Sequence, residues 1–589
     1  MKTRVLQVLM LSTLVSFSAQ ASQADELVES EIYQAAPLSN QTTQGQLKLQ
    51  PLSSAQRTLS QLLFPAQSMS LGEPSTDELA GLAQTDTKHK ALKIGIQRSV
   101  PTLPDMQDWV WMPVVGGQAA QFVLSSASAA SLRALLQLEQ SLPDGVELRF
   151  FSLEQAEEIY GPYTLNDFHA NSSTTTPELW TPTITGSQLG LELFIPEGVD
   201  PAQIKLVVPE ISHIAYDLKS SSFKGAAASF LKFSSCDVSM ACAPNAWQAT
   251  AKAVARYVFT NSAGSSFLCT GTLLADKDPG TQIPYFMTAA HCIDDAAMAA
   301  TMDFYWFYQE SSCGSGSSTW VRTIGGADLL ANRSDLDMTL VRMRSAPPIG
   351  SMMSGWALES MPTNKTVVGI HHGLGNPKQF SQGNFVSYAS VTSTDTGYMV
   401  TPDVNGDFTQ VAWGQGITAQ GSSGSGLWTT INGNPYFKAT LVGGGSSCST
   451  PHTPDEYTRL ERFQPYVKNW LEATGGPLTS LVDSSKAPSA LVDGVIIARY
   501  LGGKRGTELF NNVTNVTVNS AQLESKLDFI KPTLDIDGDN TLDTTKDGML
   551  IIRYLMGLRD SALIEKIDLT NSKRKTAAEI NQYIETILF

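Results

Sequence analysis

Residues 421–428 read Gly421-Ser422-Ser423-Gly424-Ser425-Gly426-Leu427-Trp428, a tight turn that presents one hydroxyl ahead of an apolar strand. The glycines let the backbone turn without a Cβ clash and leave amides free to point at a substrate oxygen. Alone, such a run also describes a flexible loop. Two upstream stretches decide between the readings. Thr288-Ala289-Ala290-His291-Cys292 supplies a histidine, and Asp337-Met338-Thr339-Leu340-Val341 supplies a carboxylate that opens an apolar strand. The order is His, Asp, Ser, with gaps of 337 − 291 = 46 and 423 − 337 = 86 residues. A serine hydroxyl is a weak nucleophile until a base takes its proton. His291 is the expected base and then the acid for the leaving amine, and Asp337 is expected to hold its tautomer and stabilise the imidazolium. The amides of Gly421 and Ser423 are expected to form the oxyanion hole. Asp335 is a rival carboxylate, but Asp337 directly precedes the strand-like residues 338–343.

At 589 residues the chain has room for three or four domains. A net charge of −16 argues against nucleic acid as a partner and suits a soluble protein. Residues 1–21 read as an export signal: Lys2 and Arg4 are basic, residues 5–17 are mostly apolar, and Ala19-Gln20-Ala21 is a small-x-small cleavage site. A buried N-terminal helix is the competing reading of that run, which is short for a membrane span. No later stretch spans either, so a secreted protein without stable membrane insertion is expected. All six cysteines lie between Cys236 and Cys448, and an even count in an exported protein reads as disulfides. Six cysteines permit about 15 pairings, which spacing does not resolve.

Four regions follow: 1–21 signal; 22–224 leader and mostly β domain; 225–475 a cysteine-bearing all-β domain; 476–589 a helical tail. Residues 22 to about 90 look like a leader with little fold of its own, with a helical pattern near residues 55–63. Strand-like runs follow at 92–96, 109–114, 120–124, 146–151, 189–195 and 204–208, with short helices expected at 131–139 and 153–159. His89, His169 and His213 are isolated and read as structural. A Ser-rich stretch, residues 220–226, leads into short strands with Gly/Ser turns, which fit a two-barrel all-β domain. A helix over 460–471 closes it, with Phe463, Tyr466, Val467, Trp470 and Leu471 at helical spacing, and Gly475-Gly476-Pro477 stops that helix.

The tail holds an internal repeat: residues 493–505 match residues 547–559 at an offset of 547 − 493 = 54, both as helices with one apolar face. Asp535-Ile536-Asp537-Gly538-Asp539-Asn540-Thr541-Leu542-Asp543 precedes the second copy. Carboxylates at alternate loop positions converge on a hard cation, so Asp535, Asp537, Asp539, Thr541, Asp543 and Asp547 are the expected calcium ligands. The loop departs from an EF-hand, with Asn540 at the glycine position and Lys546 at position 12, and Asp547 at position 13 closes the site. An acidic surface turn is the alternative. Before the first helix only Asp483 and Asp493 remain, too few for a good site.

The His–Asp–Ser order is that of chymotrypsin, not of subtilisin or the α/β-hydrolases, and the G-x-S-x-G elbow of the latter is absent around Ser423. Residues from about 236 to 471 resemble the trypsin/chymotrypsin superfamily, most closely the bacterial lysyl endopeptidases. Cys236-Asp237-Val238 with Cys242, residues 269–274, 288–292 and 305–313, His371-His372 and residues 444–448 carry the resemblance in order. It implies a chymotrypsin-like two-barrel fold and a secreted serine endopeptidase made as a proenzyme, acting on protein or peptide substrates. It also implies the pairings Cys236–Cys448, Cys242–Cys313 and Cys269–Cys292. Asp455, two residues before Tyr457 and after Ser446-Ser447-Cys448, inherits by position the role of the lysyl endopeptidases' S1 aspartate, and cleavage after Lys or Arg is expected here; an exposed acidic turn is the other reading. The segment between Cys448 and Asp455 is shorter than the family's, and Tyr388 and Val442 stand where it carries an aromatic–histidine pair. Ser422 stands where trypsin-type enzymes carry the aspartate that pairs with a newly cut N-terminus, so no inserted amine is expected here. Processing is expected after Lys224 or Lys232. His371 and His372 match a motif without a catalytic role. The tail resembles dockerin-like calcium modules, with no docking partner named by the sequence. A catalytically silent binding protein on the same scaffold is the rival function; retention of all three triad residues disfavours it.

Overall fold

The computed structural model describes residues 27–34, 66–80, 82, 91–170, 176–225, 236–277, 282–394, 397–472, 481–482, 488–511, 513, 518 and 520–584. The expected signal at 1–21, the helical pattern at 55–63, Lys232, the residues 475–477 and Asp483 lie outside them. The chain is mainly β, with one closed barrel and a small C-terminal helical region.

Alternating apolar residues build the N-terminal unit as two facing sheets. One runs in the order Ile159–Tyr163, Glu147–Ser152, Gln188–Pro196, Gly117–Ser125, Gln67–Ser70; the other runs His169–Ala170, Pro177–Trp180, Ser131–Leu138, Leu206–Ile214, Gly95–Ser99. Their inner faces share one core that includes Phe122, Leu136, Phe150 and Leu193. Ser131–Leu138 is a strand, not the expected helix. Its Leu132, Ala134, Leu136 and Leu138 line the core at period two, and burial between neighbours overrides the helix preference of Leu and Ala. Residues 153–159 are not a helix either: they form a turn in which Ser152 Oγ accepts from the amides of Glu154 and Gln155 at 3.1 and 3.0 Å.

The leader also departs from expectation. Leu27–Val28 and Glu31–Ile32 are strands that pair antiparallel with Trp356–Ala357 and Met352–Met353 of the cysteine-bearing region. Such two-residue pairings are made by backbone groups, so composition carries no trace of them.

In the cysteine-bearing region six strands close into a barrel: Asn434–Gly444, Gly426–Ile431, Thr366–His371, Gln379–Thr394, Phe408–Gln415 and Asp455–Arg459, the last pairing back to the first. A second sheet runs Ser315–Thr323, Asp303–Ser312, Val254–Thr260, Ser266–Leu274, Tyr285–Thr288, Met338–Met343, Ala327–Arg333. Among the described residues no pairing joins its two end strands, so closure of two barrels is not what the hydrogen bonding displays. The sheets share a core in which Tyr257, Phe286 and Trp306 of one meet Ile370, Trp428 and Phe437 of the other. Disulfides join Cys236 to Cys448, Cys242 to Cys313 and Cys269 to Cys292. The helix Leu460–Leu471 packs Phe463, Val467 and Leu471 against that core.

Buried polar contacts fasten the N-terminal unit to the second sheet. Arg133 donates to Thr181 O, Thr260 Oγ1 and Thr301 O at 3.0, 3.1 and 2.7 Å. The repeat forms the paired helices Val495–Leu501 and Met549–Leu555, which share a core with Leu523, Leu527 and Ile536. No described helix is long and apolar enough to cross a membrane.

Candidate active site

His291 and Asp337 come from one end of two paired strands. Tyr285–Thr288 and Met338–Met343 run antiparallel with Thr288 opposite Thr339, so the residues just after the first strand and just before the second meet. Asp337 Oδ1 accepts from the amide of His291 at 2.7 Å, and Oδ2 lies 2.7 Å from Nδ1 of the ring. Asp337 adopts φ 52°, a left-handed conformation in which a short polar side chain is better tolerated than most. The rival Asp335 is 60% exposed in its side chain and pairs with Arg333 instead. The Cys269–Cys292 disulfide fixes the residue next to His291 to the strand Ser266–Leu274.

The serine turn lies against that strand. Thr270 donates from its amide to Ser423 O at 2.9 Å and from Oγ1 to Gly421 O at 2.7 Å. Gly424, at φ 81°, makes the approach possible: a Cβ there would lie 2.1 Å from Thr288 Oγ1 and 2.8 Å from the amide of Ala289. The turn is thereby seated on the residues immediately before His291, and Ser423 is fully buried. The amides of Ser422, Gly424 and Ser425 donate to Ala419 O, Leu441 O and Ser422 O. No described residue accepts from the amides of Gly421 or Ser423.

Asp455 is not an exposed turn. It is completely buried opposite Gly444, three residues along the strand whose Leu441 O takes the Gly424 amide. Its Oδ2 accepts from Trp413 Nε1 at 2.7 Å, Thr418 Oγ1 at 2.6 Å and Ser446 Oγ at 2.7 Å, while Oδ1 accepts from the Ser446 amide at 3.1 Å. Sequence reasoning missed Trp413 and Thr418; they precede the serine turn with no local pattern that points at a carboxylate. Tyr388 turns elsewhere, its ring 3.5 Å from the Arg459 guanidinium.

The model of the lysyl endopeptidase C-terminal domain matches residues 232–458, and that of the lysyl endopeptidase N-terminal domain matches residues 70–215. A lysyl endopeptidase of Pseudomonas aeruginosa is 34% identical over 373 residues, covering 61% of this chain and 76% of that relative. This chain belongs to the lysyl endopeptidase family of trypsin-like serine proteases. The apo MamO protease domain from Magnetospirillum magneticum covers 98% of its own length and 37% of this chain, at 8% identity and a TM-score of 0.26, and no argument rests on it. Both lysyl endopeptidase matches end before the C-terminal helical region.

In that region Asp535, Asp537 and Asp539 bring one carboxylate oxygen each within 4.8 Å of one another. Asn540, at φ 61°, makes the tight bend assigned to it. Burial pushes the Asp535 carboxyl up to about 6, and three oxygens so gathered fit a hard cation. Asp543 and Asp547 stand outside the group. Asp543 Oδ1 caps the following helical turn through the Lys546 amide at 2.6 Å. Asp547 accepts from the amides of Ile536 and Asp543 at 2.6 and 2.9 Å, and Asp493 of the first repeat accepts from those of Leu481 and Ser489 in the same way. A crevice of about 1470 Å³ among the N-terminal unit, the second sheet and residues 570–575 contains none of the candidate site residues.

Proposed function

We propose that this chain is a secreted serine endopeptidase that cuts after Lys or Arg through an acyl-enzyme and is made as a proenzyme. The observation that carries the reading is the two-point hold of Asp337 on His291 beside a serine turn with two uncommitted amides. Ser423 Oγ attacks the scissile carbonyl while His291 Nε2 takes its proton. Asp337 keeps the other ring proton on Nδ1 and stabilises the imidazolium. The oxygen of the tetrahedral intermediate receives the amides of Gly421 and Ser423. The C–N bond then breaks, His291 protonates the leaving amine, and water repeats the sequence to release the acid and restore Ser423.

Asp455 supplies the charge for Lys or Arg at the base of the specificity pocket. A long cation is rewarded there because it adds an ion pair with the buried carboxylate that an uncharged side chain does not make. The open sheet is read as the second barrel of a chymotrypsin-like pair, since it carries His291 and Asp337 while the closed barrel carries Ser423.

The proenzyme reading is supported by how the N-terminal unit sits. Leu92–Lys93 pairs with Phe267–Leu268, and Ile94 donates to Ser266 O at 2.9 Å, along the strand that seats the serine turn. Leu92, Ile94, Tyr216 and Phe223 share a core with Val258, Leu268 and Tyr305. A Cβ on Gly421 would lie 3.2 Å from Leu268 Cδ2, so that core borders the oxyanion turn. Lys224 follows directly, with a side chain 45% exposed to a cutting enzyme. In the tail, Asp535, Asp537 and Asp539 would hold calcium, whose charge would tie the loop together; the dockerin-like reading rests on the repeat alone.

Reaction of the processed protein with a fluorophosphonate tests the reading. Labelling is expected at Ser423 and lost in Ser423→Ala together with proteolysis. A processed wild type that neither labels nor cuts would favour the silent binding protein.

A further inference from the structure

His371 ends the barrel strand Thr366–His371 and is completely buried. Its Nδ1 lies 2.9 Å from Ser422 Oγ, and its Nε2 lies 3.0 Å from Ser381 Oγ. The direction of each bond follows from the partners. Ser381 Oγ is 2.9 Å from Ile417 O, which can only accept, so the Ser381 proton is committed there. Nε2 must then carry a proton and donate to Ser381. Nδ1 is left as the acceptor of the Ser422 hydroxyl proton, while Ser422 Oγ accepts the Ala419 amide at 3.1 Å. One neutral tautomer satisfies the whole chain of bonds, and a fully satisfied buried network is stiff.

Ser422 lies between the two residues whose amides are uncommitted. Its own backbone closes the turn, with its amide on Ala419 O at 2.9 Å and its carbonyl taking Ser425 at 3.0 Å. Thr270 holds the turn from the side of the second sheet; His371 holds it from the side of the closed barrel. The turn needs both, because Gly421 at φ 88° and Gly424 at φ 81° give it backbone freedom that ordinary residues lack. Without fixed neighbours a peptide flanked by glycine can turn an amide away from the reacting oxygen.

We infer that His371 is a positioning residue for catalysis, anchoring the Ser422 hydroxyl so that the amides of Gly421 and Ser423 stay directed at the transition-state oxygen. The inference rests on the roles proposed above for Ser423 and those amides. It also explains how the turn does without an inserted N-terminal amine: the residue before the nucleophile is a serine, and its anchor is built into the barrel.

Asparagine and glutamine separate the two ring nitrogens. His371→Asn places a polar atom near the Nδ1 position and keeps a partner for Ser422, whereas His371→Gln reaches only the Nε2 position and Ser381. Each variant of the full chain, matured with added wild-type enzyme, is assayed for kcat, KM and the rate of fluorophosphonate labelling. His371→Gln is expected to lose roughly tenfold to hundredfold in kcat and in labelling rate, with KM little changed, the scale of a misplaced reacting group. Ser422→Ala, which breaks the same contact by removing one oxygen, should match it and serves if His371→Gln does not fold. His371→Asn should regain most of the rate. Wild-type labelling rates in His371→Gln and Ser422→Ala would overturn the inference and leave the Ser423 assignment intact, as would His371→Asn being as slow as His371→Gln. A wild type unlabelled at Ser423 would overturn both.

Discussion

Asp337 grips His291 at two points, one oxygen on the backbone amide and the other on the ring, each at 2.7 Å. The first bond fixes where the histidine begins; the second fixes how its ring is turned and which nitrogen carries the proton. A single carboxylate therefore sets both position and tautomer.

Asp337→Asn keeps the size of the side chain and presents an amide that favours the wrong tautomer. We expect kcat at neutral pH to fall by about 10⁴, with KM nearly unchanged. Asp335→Asn, at an exposed residue paired with Arg333, should leave kcat near wild type. Steady-state kinetics normalised by burst titration reads both. A loss below tenfold in Asp337→Asn would mean that another group orients His291.

Each of the three stretches of the candidate site is legible in the sequence because it is local. A histidine just after one apolar strand, an aspartate just before another and a serine in a glycine turn all sit where short-range sequence pattern has meaning. What escaped reading depends on distant partners. Ser131–Leu138 carries helix-forming leucines but is a strand, since Arg133 and Leu135 on its other face find their places only against neighbouring elements. Leu27–Val28 and Glu31–Ile32 add to the protease region by backbone pairing, with Val28 entering its core and Glu31 accepting from Gln282, contacts that no local pattern announces. Nothing around His371 announces that its ring meets Ser422, 51 residues away in sequence. Trp413 and Thr418 are ordinary strand and turn residues until Asp455 is folded against them.

The N-terminal unit should restrain the site for as long as it stays attached. A chain made uncleavable by Lys224→Gln and Lys232→Gln is expected to react slowly with a fluorophosphonate. Adding Leu92→Glu to that chain, which puts a charge into the core shared with Val258 and Leu268, should speed the reaction. Equal labelling rates for the uncut and the processed chains would refute restraint by this unit.

The acidic loop carries its own competitor for a cation. Lys546 hydrogen-bonds Asp539 through Nζ and lies 3.7 Å from Asp537. An ammonium already placed among the carboxylates weakens what calcium gains there. Calcium should raise the melting temperature by mass action, with a gain of about 2.7 kcal/mol at a hundredfold excess over the dissociation constant. Lys546→Glu, which removes the internal cation and adds an oxygen donor at position 12, should enlarge the shift; Asp537→Asn should remove it. A melting temperature in Lys546→Glu that is the same in calcium and in chelator would show that the loop is an acidic turn only.

Asp455 is the residue on which substrate choice depends, and its surroundings dictate how to test it. Four hydrogen bonds hold its carboxylate, three of them on Oδ2. Replacing it with a small residue would strip the Trp413 and Thr418 donors of their acceptor and confuse lost charge with lost structure. Asp455→Asn keeps the shape and, with its oxygen at the Oδ2 position, the acceptor for Trp413, Thr418 and Ser446 Oγ; it removes the charge and the one Oδ1 contact with the Ser446 amide. If the carboxylate meets a substrate cation, kcat/KM for cleavage after Lys and Arg should fall by about 3–5 kcal/mol, the cost of leaving one partner of a buried ion pair alone. That is roughly 10² to 10⁴ in rate. Mass spectrometry of a peptide-library digest would record both the preference and its loss. Undiminished cleavage after Lys and Arg by Asp455→Asn would leave the carboxylate a purely structural part, bracing Trp413 and Ser446. Cleavage after apolar residues by the wild type would place the specificity pocket elsewhere while leaving the pairing of Asp337 with His291 untouched.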